Sequence, residues 1–151
     1  SVSGPSLAAG CLDRFAAVIG EGELRHEGEV VFAIEAGLPW SALRAGVTAR
    51  ERAHEVFTRL RVWDTRANNG VLLYVLLADR AIEIVADRGL HGQVSDAQWA
   101  SVCAAVKAGM ETGDVEQAVT DGLQRIAALL ATQCPATDRL GDELPDRPVL
   151  L

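Results

Sequence analysis

The sequence predicts a layered α/β domain with the element order α-β-α-β-β-α-α. Three observations carry the prediction. Two capping boxes, Thr48 with Glu51 and Ser95 with Gln98, mark helix starts, because each hydroxyl and its partner three residues on satisfy amide groups that a first turn leaves open. The run 71–77 is apolar throughout and follows a polar turn, as a strand buried on both faces requires. The remaining long segments repeat apolar residues every three or four positions, the spacing of one helix face.

The first helix is expected over 6–20, with Leu7, Cys11, Phe15, Val18 and Ile19 on one face and Gly20 and Gly22 ending it. Residues 29–34, bounded by Gly28 and Gly37, read as the first strand. Residues 36–46 contain Gly37, Pro39 and Gly46 and read as a loop, with Trp40 and Leu43 as packing anchors and, as the alternative for Trp40, an exposed contact anchor. From Thr48 the stripe Ala53, Val56, Phe57 and Leu60 sets the second helix over 49–61. The polar stretch 64–70 leads into the central strand 71–77, and the turn at Asp79 and Arg80 makes a hairpin with 82–85. The third helix opens at Ser95 and closes at Gly113; the fourth is capped by Asp114 and closes near Pro135. Strands one and two are expected to be parallel through a crossover and strand three antiparallel. A domain over 1–135 and an extended tail over 136–151, able to add an edge strand, complete the organisation.

With 151 residues the chain fits one domain, and 49% hydrophobic content supplies a core. The net charge of −7 excludes the basic footprint of a nucleic-acid binder. No apolar run approaches the ~20 residues of a membrane span, and no signal peptide is expected at the start. Cys11, Cys103 and Cys134 are odd in number and widely spaced, which predicts free thiols and a reducing compartment. The expected location is therefore the cytoplasm, including the inner face of the membrane as a peripheral site.

The string 66–75 (RANNGVLLYV), then Ala78, Asp79 and Arg80, then 82–90 (IEIVADRGL), resembles the signature of the TPM domain family, and 27–30 (EGEV) is similar to that family's first-strand start. The family is known from thylakoid-lumen photosystem-repair proteins, a receptor modulator and many bacterial proteins. The resemblance spans about 10–133 and implies a three-layer α/β/α sandwich around a small mixed sheet. It also implies two functional classes, an interaction or assembly module and a metal-dependent acid phosphatase. Many relatives carry Asp-Asn-Gly where this chain has Asn68-Asn69-Gly70, which removes one carboxylate from any hard-cation site.

Topology gathers one polar constellation. The start of strand two and the end of strand three share a sheet edge, which places Asp64, Arg66, Asn68 and Asn69 near Asp87, Arg88 and His91, with His26 and Glu27 beside them. Asp87 is expected to bond its own backbone ahead of Gly89, Arg66 and Arg88 to pair with Asp64 and Asp87, and His26, His54 and His91 to be solvated. If a cation such as Ca²⁺ or Mg²⁺ binds, Asp87, Asp64 and Asn69 are its expected ligands, and Arg66 or Arg88 would neutralise a small phosphate-bearing ligand. The alternative edge lies at Glu35, Ala78 and Asp79, where open α/β sheets often place ligands. The sequence contains no GxSxG, HExxH, P-loop or GxGxxG, so the leading expectation is a module that works through a protein partner.

Overall fold

The computed structural model describes residues 9–135 and 148–151. Its elements are α1 (Cys11–Glu23), β1 (Glu29–Glu35), α2 (Trp40–Ala45), α3 (Ala49–Arg59), β2 (Gly70–Leu76), β3 (Ala81–Ala86), α4 (Asp96–Glu111), α5 (Val115–Gln133) and β4 (Val149–Leu150), with a 3₁₀ turn at Arg88–Leu90. The sheet order is β3-β2-β1-β4. β1 and β2 are parallel in the register Glu29 to Gly70 through Glu35 to Leu76, and β3 returns antiparallel with Val71 opposite Ala86. This is the mixed three-layer architecture that the sequence predicts, with β4 added parallel to β1 along the edge.

Strand alternation divides the core in two. On one face Val30, Phe32, Ile34, Val71, Leu73 and Val75 meet α1, α4 and α5. Phe15 and Phe32 pack edge to face with ring centroids 5.1 Å apart. On the other face Val31, Ala33, Leu72, Tyr74 and Leu76 meet Ala53, Val56 and Phe57 of α3. Both central strands are buried along their whole length, because helices cover them on each side. The two capping boxes at Thr48 and Ser95 and the Asp114 cap are all formed.

Three expectations are corrected. The segment 36–46 is not wholly loop: Trp40–Ala45 is a short helix, and Trp40 and Leu43 are 73% and 53% exposed rather than packed. None of its residues is buried, so its helicity is local, closed by Gly46 in the left-handed region. Helix α1 does not stop at Gly20 but runs to Glu23, packed so closely on α5 that a Cβ at Gly22 would come within 2.8 Å of Ala127 Cβ. Contact with α5 there offsets the ~1 kcal/mol that an interior glycine costs. The expected helix residues 6–8, like the tail residues 136–147, lie outside the described residues.

Candidate functional site

The shared edge forms through backbone bonds first. Asp87 N–H donates to Gly70 O at 2.8 Å, Glu29 N–H to Asn69 O at 3.1 Å, and Gly89 N–H to Asn68 O at 2.8 Å. Asn68 sits at φ 52, a left-handed conformation that asparagine tolerates better than most side chains. At Gly89 a Cβ would fall onto the carbonyl oxygens of Ala67 and Asn68, so only glycine lets the two turns approach this closely. Sequence and topology together thus bring Asn68, Asn69, Asp87 and the 3₁₀ turn to one place.

The side chains differ in their engagement. Asn69 is buried; its Nδ2 donates to Glu27 O at 2.7 Å, and its N–H donates to Thr65 Oγ1 at 3.0 Å. Asp87 caps the 3₁₀ turn, with Oδ1 accepting from Arg88 N–H at 2.8 Å. Asn69 Oδ1 and Asp87 Oδ2 are both buried and have no hydrogen-bond partner. Buried oxygens in that state are costly to leave unpaired. Among the described residues, no group of three or more His, Cys, Asp and Glu side chains is placed to hold a metal ion.

Asp64 does not pair with Arg66. It closes instead on Arg61 at 3.0 Å, and Arg61 also lies 5.2 Å from the centre of the Trp63 ring. The turn geometry decides this, since Arg61 and Asp64 are three residues apart in one tight bend. Arg66 and Arg88 are exposed, and His91 Nε2 lies 3.3 Å from Ala86 O. His26 is not solvated but fully buried, because it forms a β-bridge with Pro135 and the next residue's N–H, that of Glu27, donates to Cys134 O.

At the opposite edge the structure holds a network that sequence reasoning missed. Glu35 ends β1 and receives Arg52 Nε at 2.9 Å, Arg52 Nη2 at 2.7 Å and Tyr74 Oη at 2.6 Å. Arg52 Nη1 reaches Glu55 at 2.9 Å. Burial pushes the Glu35 carboxyl up, but the hydrogen bonds from Arg52 and Tyr74 and the guanidinium charge outweigh it and hold the group below its ordinary value. The Tyr74 hydroxyl is raised, by burial first and then by its bond to the carboxylate. The carboxylate at that edge is therefore committed internally. A signal was present: Arg52 and Val56 are four apart, so a charged residue lies in the apolar stripe of α3.

The model of the TPM domain matches residues 14–129. The chain belongs to the TPM domain family. This TPM domain also superposes on the NMR structure of the BA42 protein from the psychrophilic bacterium Bizionia argentinensis, with a TM-score of 0.80 and 27% identity over 95% of this chain and 94% of that one. The search of curated proteins gives no match. No helix among the described residues is long and apolar enough to cross a membrane.

Proposed function

We propose that this TPM domain is an interaction module that works through protein contacts. The observation that carries the reading is α2, a helix that buries none of its residues and presents Trp40 and Leu43 to solvent. Exposed aromatic and aliphatic side chains together are what binding anchors require, and the sheet does not need them for its own core. Cross-linking of the whole chain in its source cells, compared with a Trp40→Ser, Leu43→Ser variant, tests this. Loss of a discrete adduct in a variant that melts like the parent supports the module; an adduct pattern indifferent to both changes sinks it.

A second reading, a metal-dependent phosphatase, is favoured by Asn69 Oδ1 and Asp87 Oδ2, two buried oxygens without partners at the edge carrying the family signature. A divalent cation held there would supply charge neutralisation for a phosphate, with Arg88 exposed beside it. One carboxylate and one amide oxygen are few for a hard cation that takes six to eight oxygens. Hydrolysis of a generic phosphate monoester with Mg²⁺, Ca²⁺ or Mn²⁺, with chelator as control, separates the readings. Turnover abolished by Asp87→Ala in a folded protein would replace the module with the enzyme.

A further inference from the structure

Among the described residues β3 is the terminal strand of the sheet, and no described strand pairs with the outer side of its backbone. Asp87 N–H points to β2, and ladder alternation therefore turns the amide and carbonyl groups of Ile82, Ile84 and Ala86 outward. Two of these carbonyls are covered by side chains. Arg50 Nη1 donates to Ile84 O at 2.5 Å, and His91 Nε2 lies 3.3 Å from Ala86 O. Such covers blunt an edge against aggregation, but these two are exchangeable. The Arg50 side chain is half exposed, and its ion pair with Glu83 is long, at 3.5 Å.

Beside the covers runs a cavity of about 340 Å³, walled by Arg50 on the α3 side and by Trp99 and Cys103 of α4 on the other. Its floor is the β3 edge at Glu83, Ile84 and Ala86. Burial, and then the Glu83 charge, push the Cys103 thiol up to about 11, which keeps that thiol neutral near pH 7, while Asp96 at the start of α4 adds a carboxylate to the same lining. The two walls thus differ: the Arg50 guanidinium stands on the α3 side, and Trp99, Ala100 and Cys103 form an uncharged patch on the α4 side.

We propose that the β3 edge takes an extended peptide segment of a partner protein as an added strand, with an acidic side chain meeting Arg50 and an apolar one seated against Trp99 and Cys103. The inference rests on the module reading and names the partner's chemistry. Strand addition replaces the side-chain covers by backbone hydrogen bonds, and pockets on alternate faces supply selectivity. An added strand presents successive side chains to opposite faces, so the segment alternates apolar and acidic residues. The Arg50 guanidinium, released from Ile84 O and held only weakly by Glu83, is free to fork onto a carboxylate.

The test titrates the whole isotope-labelled chain with synthetic peptides of about ten residues. One alternates valine and glutamate, one valine and lysine, and one is the glutamate peptide N-methylated at alternate amides. The glutamate peptide should shift the amides of Ile82, Ile84 and Ala86 with a dissociation constant below about 1 mM, while the N-methylated peptide does not. Arg50→Glu should weaken the glutamate peptide at least about fivefold and strengthen the lysine peptide by a similar factor. A merely structural Arg50 would not reverse the preference. Silence at Ile82, Ile84 and Ala86, equal binding of both peptides by parent and variant, or concentration-dependent doubling of mass without peptide would each overturn the proposal. Shifts confined to Trp40 and Leu43 would overturn the β3 site while leaving the module reading standing, and an adduct pattern indifferent to the α2 changes with peptide binding intact would do the reverse.

Discussion

Replacing Arg52 by methionine isolates the largest electrostatic commitment in the fold. Arg52 is 4% exposed and donates twice to Glu35, itself 5% exposed, so the change leaves a carboxylate in the core with only Tyr74 Oη as donor. Breaking a buried pair on one side costs about 3–5 kcal/mol, against ~0–1 for an exposed pair. For a chain of this size each kcal/mol moves the melting midpoint by roughly 2–4 °C, so a fall of about 6–20 °C is expected at pH 7. The pH dependence carries the sharper sign. In the parent the Glu35 carboxyl is held low, so its contribution is complete above the ordinary carboxylate range and is lost as pH falls through the lowered folded value. In Arg52→Met burial is opposed only by the Tyr74 hydrogen bond and the Arg59 charge, so the carboxyl rises relative to the parent, and the deficit shrinks as acid protonates it. Urea unfolding followed by the fluorescence of buried Trp99 should therefore show a smaller difference between parent and variant near pH 4 than at pH 7. The double variant Glu35→Leu, Arg52→Met should recover at least ~2 kcal/mol relative to additivity. A loss under ~1 kcal/mol at pH 7, or an equal loss at both pH values, would refute the argument.

Gly89→Ala should cost about 1–3 kcal/mol by forcing the turn away from the Ala67 and Asn68 carbonyls, seen as a lowered urea midpoint and shifted Asn68 and Gly70 amides. Ser95→Ala removes the acceptor for Gln98 N–H and should cost ~1 kcal/mol, whereas Ser95→Thr largely retains it. Trp40→Ser with Leu43→Ser should change stability by less than about 0.5 kcal/mol per site, because neither side chain is packed; a larger loss by thermal melting would mean that α2 belongs to the core. Phe15→Ala should cost ~3–5 kcal/mol, since the ring is fully buried against Phe32.

The polar edge shows how far local pattern reaches toward a site. Asn69, Asp87 and Gly89 could be placed together from strand direction, because hairpin geometry fixes which ends coincide. Their partners could not. Asp64 chose Arg61 rather than Arg66 through a bend only a few residues long, and His26 was buried by the chain near Pro135, more than a hundred residues away. The Glu35 network follows the same logic: its three members come from β1, α3 and β2, and each alone reads as an ordinary charged or aromatic residue.

What the sequence determined by itself was the set of local decisions: helix starts at Thr48, Ser95 and Asp114, the buried strands, their parallel and antiparallel senses, and the family signature on the β2–β3 hairpin. These depend on hydrogen bonds and periodicities that span a few residues, so they are written in neighbouring positions. Only the tertiary structure decided that α1 continues through Gly22, that Trp40 stays in solvent, and that Arg50, His91 and Cys103 line one groove along β3. Each of those outcomes is a competition among residues distant in the chain, won by close contact across packed elements that no short window of sequence records.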